Sequence, residues 1–154
     1  MKKILIAMDY DPTAQKVAEV GNALAKSIGA EVILLHVITD ETYYSALEYT
    51  PSIGFAGFTG FDTSHLFASH GLKKATMHYL EKIRKHLGNE SIKTIVDDGE
   101  FAETILKTAK NEHVDFIVMG SHSRRWLEEI LVGSVTEQVL KLSKIPLFIV
   151  PTKK

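Results

Sequence analysis

The sequence predicts an α/β protein in three layers, a five-stranded, mostly parallel sheet with helices on both faces. Three observations lead there. Short apolar runs rich in β-branched residues stand at 3–8, 31–37, 91–96, 114–119 and 145–150. Stretches with apolar residues at helical spacing separate them, and each such helix is a right-handed crossover, which makes the strands parallel. The fourth run passes through Gly120 and Gly133 to a helix start at Ser134, a strand–glycine–helix corner typical of α/β proteins.

The elements follow in order. Lys3-Ile4-Leu5-Ile6-Ala7-Met8 is continuously apolar after its lysine, as a strand covered on both faces is. It ends at Asp9, and Asp11-Pro12 reads as a helix start, with Asp11 capping and Pro12 at the first helical position. Ala14, Val17, Ala18, Gly21, Leu24, Ala25 and Ile28 mark one face of that helix, and Gly29 stops it. The run 31–37 is a second buried strand.

Residues 38–65 fit neither period. They carry Tyr43, Tyr44, Tyr49, Phe55, Phe58 and Phe61 among Pro51, Gly54, Gly57 and Gly60. A loop this long is usually functional or disordered, and disordered segments are poor in aromatics. A lid over a pocket, a surface for a protein partner and an ordered flap without a role all remain open. A long helix over 66–87 follows, ending at Gly88. The third strand, 91–96, alternates polar and apolar residues and belongs near a sheet edge. A helix over 100–113 turns Ile105, Leu106 and Ala109 inward. The last helix runs from Ser134 to about Ser143, before the fifth strand.

Ser134-Val135-Thr136-Glu137 has the form of a capping box, in which Ser134 and Glu137 satisfy one another's amides. The remaining amides, with the positive end of the helix dipole, face whatever the loop encloses. In open sheets ligands bind beyond the carboxyl ends of the strands, where strand order reverses. If the first and fourth strands are neighbours at that reversal, Asp9, Val37 and Gly120 border one crevice.

Composition bounds the alternatives. At 154 residues one domain over 1–154 is expected, large enough for a true core. A net charge of −1 gives no general pull toward nucleic acid or acidic membranes. No apolar run approaches the roughly 20 residues that span a bilayer, and the start at Met1-Lys2-Lys3 shows no signal-peptide pattern. With no cysteine there are no disulfides and no cysteine-ligated metals. A cytoplasmic protein that contacts neither membrane nor nucleic acid is expected.

The chain resembles the universal stress protein family over nearly its whole length. The phosphate motif of the family's ATP-binding branch is Gly, two residues, Gly, nine residues, then Gly-Ser or Gly-Thr. Here it stands as Gly120, Ser121-His122, Ser123, residues 124–132, Gly133-Ser134. Met119-Gly120-Ser121-His122, Gly133-Ser134-Val135-Thr136-Glu137, Asp9 after the first strand and Leu34-Leu35-His36-Val37 closing the second are similar to family text. The resemblance implies an adenine nucleotide alpha hydrolase-like, Rossmann-like fold that binds ATP. Carried over by position, Asp9 and the Val37 backbone border the adenine, Gly120 lies against the ribose, and Ser123, Gly133 and Ser134 meet the phosphates. It also implies Mg²⁺ or Mn²⁺ held through the phosphates, and a homodimer through the C-terminal strand, whose apolar edge would otherwise be a liability.

One position departs from the motif, whose second glycine is Ser123 here. If the position only needs positive φ, serine costs roughly 1–2 kcal/mol, about a tenfold loss of affinity. If it needs the space of a missing side chain, serine blocks the pose.

Arg124 and Arg125 read first as a solvated basic pair, Trp126 as a packing or dimer residue, and His122 as a neighbour of the loop. The seven histidines show no metal-ligand spacing, and Asp97-Asp98 before Gly99 lie away from the expected crevice. There is no nucleophile elbow and no triad. The resemblance, with the glycine corner, implies a nucleotide-responsive regulatory or stress-response protein, not an enzyme beyond slow ATP hydrolysis. Efficient hydrolysis asks for a positioned base or a phosphate-loop lysine. A dimeric interaction module that binds no nucleotide is the alternative, and an adenylate-forming enzyme on a related fold a weaker third.

Overall fold

The most apolar runs lie in the middle of the sheet, as burial on both faces requires. The computed structural model describes residues 1–9, 13–38, 69–121 and 134–152, with side chains left out of the description at 69–72 and 134. The elements are β1 (Lys3–Met8), α1 (Ala14–Ile28), β2 (Glu31–Ile38), α2 (Ser69–Leu87), β3 (Lys93–Asp98), α3 (Phe101–Asn111), β4 (Phe116–Gly120), α4 (Ser134–Leu142) and β5 (Leu147–Val150). All strand pairs are parallel, and the order is β3-β2-β1-β4-β5. The alternating third run is indeed an edge strand.

Side chains one apart point to opposite faces, and the core divides accordingly. Ile4, Ile6, Leu34 and Val118 pack on one face with Ala18 of α1 and Leu80 of α2. Leu5, Ile33, Leu35 and Ile117 pack on the other with Ala109 of α3 and Val139 of α4. Burying each of these large side chains is worth about 1.5–3 kcal/mol, so both layers are held by the same strands.

The predicted boundaries move in places, for reasons local to each. Gly29 ends α1 as expected, with φ at 65°, and the Ala30 amide donates to Ala25 across 2.8 Å. At its other end α1 opens after Thr13, whose carbonyl accepts from Val17. The Asp11-Pro12 start lies outside the described residues, as do most of 38–65 and the start of the long helix at 66–68. Glu100 is a cap and not a helical residue, its carboxylate accepting from the amides of Ala102 and Glu103 at 3.2 and 2.8 Å. β3 extends to Asp98 because Asp97 and Asp98 pair with Val37 and Ile38. The turn then closes at Gly99, with φ at 143° and its amide on the Ile38 carbonyl.

Strand pairing also shapes the carboxyl end of the sheet. The β1–β2 register continues to Met8↔His36 and the β4–β5 register to Gly120↔Val150. Between them, the β1–β4 register stops at Ile6↔Val118. The two middle strands therefore part beyond that pair, at the point where strand order reverses.

Candidate functional site

The parting of β1 and β4 opens a crevice at the carboxyl ends of the strands. Its floor and sides come from Ala7, Met8 and Asp9 on one side and Met119 and Gly120 on the other. Leu35, His36 and Val37 of β2 continue the first wall. Thr13, Ala14 and Val17 of α1, Phe101 and Ile105 of α3, and Val135 and Thr136 of α4 complete it, with Thr152 behind. The enclosed part holds about 70 Å³, room for about five waters.

Most of these walls are apolar, and the polar groups are few and placed. Asp9 follows β1 directly and is half-buried. Val37 has its side chain in the core beneath, so only its backbone is left to border the crevice. Gly120 is the last residue of β4 and pairs with Val150. Its carbonyl accepts from the Thr136 hydroxyl at 3.0 Å, which holds the first turn of α4 against the end of β4. The structure thus brings Asp9, Val37 and Gly120 to one crevice beside the start of α4. Ser123 and Gly133 lie outside the described residues, as does the Ser134 side chain.

α4 begins at Ser134, as expected, and the capping box depends on the Ser134 side chain, which lies outside the described residues. The Glu137 carboxylate lies 2.8 Å from the Lys141 ammonium one turn on. That hydrogen bond holds Glu137 below its usual carboxylate range.

Several lining residues have no motif to announce them. Ser121 continues the strand pairing past its end: its amide donates to the Val150 carbonyl at 2.9 Å. Its hydroxyl accepts from the Thr152 amide at 3.0 Å. This clip brings Thr152 to the crevice, and only the β4–β5 pairing could have revealed it. His36 is the single polar side chain on β2 after Glu31, a signal that was present in the run. Phe101 and Ile105 arrive through the turn at Gly99. Among the described residues no group of three His, Asp or Glu side chains could hold a metal ion, and Asp97 and Asp98 do not line the crevice. Instead Asp97 accepts from the Thr108 hydroxyl at 3.4 Å. No helix of the described residues is long and apolar enough to cross a membrane.

Comparison with known proteins agrees with this architecture. Universal stress protein MJ0577 of Methanocaldococcus jannaschii is 35% identical over 155 residues, covering 99% of this chain and 96% of its own. The solved structure of MJ0577 superposes with a TM-score of 0.73 over 99% of this chain and 97% of that one, at 34% identity. A universal stress protein solved in complex with cAMP shares the fold at a TM-score of 0.67 and 18% identity, covering 99% of this chain and 98% of its own. The universal stress protein from Archaeoglobus fulgidus in complex with dAMP shares it at 0.62 and 19%, covering 97% of each chain. The model of the universal stress protein family matches residues 1–151. With the strand order, the crevice at its reversal and this match in agreement, the chain belongs to the universal stress protein family.

Proposed function

We propose that the protein binds ATP in the crevice between β1 and β4 and acts as a nucleotide-responsive regulatory protein of the stress response. The observation that carries this reading is the convergence of Asp9, Val37, Gly120 and the N-terminal turn of α4 on one opening at the strand reversal. In this reading Asp9 and the Val37 backbone border the adenine and Gly120, with no side chain, lies along the ribose. Ser123, Gly133 and Ser134 meet the phosphates at the positive end of the α4 dipole. Mg²⁺ or Mn²⁺ enters on the phosphate oxygens. Hydrolysis is at most slow, and the setting is cytoplasmic. The family relatives solved with cAMP and dAMP support an adenine nucleotide as the ligand class.

The test is equilibrium dialysis of the purified protein with labelled ATP and Mg²⁺. Saturable retention is expected, and no retention at millimolar nucleotide rejects the reading. Mass spectrometry of nucleotide released on heating identifies any ligand carried through purification. At a hundredfold excess over its dissociation constant, ATP should add about 2.7 kcal/mol of stability.

The alternative reading is a dimeric interaction module that binds no nucleotide. β5 is a terminal strand of the sheet, and Phe148 on it, with Leu140 and Leu142 of α4, is exposed. These residues support a homodimer formed through β5, compatible with either reading. Affinity purification with the full chain and with a version lacking 43–61 tests the segment as a partner surface. An unchanged partner set removes that segment from the function.

A further inference from the structure

We propose that His36 is a positioning residue that sets the place of Asp9 in the crevice, acting through the carbonyl of Met8. The inference rests on the nucleotide reading for its functional consequence but not for its geometry. β2 is buried from Val32 to Ile38 and otherwise aliphatic over that span, so a leucine at 36 would serve the core. Instead an imidazole stands there, 2% exposed. A polar group taken out of water costs free energy unless it is hydrogen-bonded.

The compensating bond is specific. His36 Nδ1 lies 2.8 Å from the carbonyl oxygen of Met8. A carbonyl oxygen only accepts, so Nδ1 carries the proton, and in the neutral ring Nε2 is the acceptor. Met8 is the last residue of β1 and the partner of His36 in the register. It also lies past Ile6↔Val118, where β1 and β4 have parted. Here β1 keeps its pairing with β2 but no longer has β4 in register on its other side. The imidazole fixes the Met8–Asp9 peptide from β2, and Asp9 is the next residue. Both His36 and Asp9 line the crevice. A side chain buried in one strand thereby orients a carboxylate at the end of the next.

The test has a ligand-free arm and a binding arm. In the ligand-free protein, ring-nitrogen NMR should find His36 protonated at Nδ1, and a ring protonated only at Nε2 overturns the proposal. Amide exchange at Asp9 should quicken about tenfold in His36→Leu and stay near wild type in His36→Asn, whose amide nitrogen reaches the place of Nδ1. Equal exchange in the three proteins overturns it. If His36→Leu does not fold, His36→Gln, which reaches the place of Nε2 instead, takes its role.

In the binding arm, His36→Leu should weaken ATP and adenosine by roughly tenfold, the loss of one hydrogen bond's worth of order. Inorganic tripolyphosphate should bind as before, and His36→Asn should restore the nucleoside affinity. Combined with Asp9→Asn, His36→Leu should add no further loss, because both act through one contact. Additive losses, or equal losses for adenosine and tripolyphosphate, overturn the proposal. Failure of wild type to bind ATP rejects the nucleotide reading alone, since the exchange and NMR results then decide the role of His36.

Discussion

The Thr136 hydroxyl donates to the Gly120 carbonyl across 3.0 Å, so the first turn of α4 is fastened to the last residue of β4. Thr136 is buried, and water cannot replace it as donor. Thr136→Val keeps the shape and removes the hydroxyl. It should lower stability by about 0.5–1.5 kcal/mol, read as a shifted urea midpoint. On the nucleotide reading it should also weaken ATP more than adenosine, because it loosens the phosphate end alone.

Ser123 replaces the glycine of the family motif and invites the reverse substitution. If that position needs positive φ, Ser123→Gly should tighten ATP by about tenfold, matching roughly 1–2 kcal/mol of relieved strain. Dialysis of both proteins at several ATP concentrations measures it. Unchanged affinity shows that backbone strain at 123 does not limit binding.

Glu19 of α1 joins α2 through His86, Oε1 to Nε2 at 2.8 Å, and accepts from Gln15 at 3.0 Å. The Gln15 hydrogen bond first, and then His86, lower its pKa from 4.5. A carboxylate lowered on folding stabilises the protein above its unfolded pKa, and that contribution is lost as pH falls through the folded value. The groups are about half exposed, so the amount is under about 1 kcal/mol. Melting curves of wild type and Glu19→Gln should differ near pH 6 and converge as the pH drops below the carboxylate range.

Gly99 turns the chain from β3 into α3 with φ at 143°, and a Cβ there would stand 2.6 Å from the Thr104 hydroxyl oxygen. Gly99→Ala therefore meets both backbone strain and a clash. It should cost about 1–3 kcal/mol, seen as a lower urea midpoint at unchanged slope. Since Phe101 and Ile105 enter the crevice from this turn, adenosine affinity should fall with it.

The layered fold was legible because burial on both faces writes itself into composition. Runs such as Ile4-Leu5-Ile6 and Leu34-Leu35 have no polar residue to expose, and Gly29 and Gly88 stop helices where positive φ is needed. Strand ends were legible too, so Asp9, Val37 and Gly120 could be named before their neighbourhood was known. The remaining walls depend on which strands are adjacent. Thr152 reaches the crevice beside Ser121, whose hydroxyl accepts from its amide, and Thr136 owes its role to a carbonyl 16 residues away. The cap at Glu100 was missed as a cap because a glutamate at that place also reads as a first helical residue.

The short β1–β4 register has a mechanical consequence. Among the described residues the β1–β4 register runs for three pairs, Ile4↔Phe116 to Ile6↔Val118, with the Asp115 amide on the Lys3 carbonyl below them. A molecule lodged above them would act as an extra rung, braced by both halves at once.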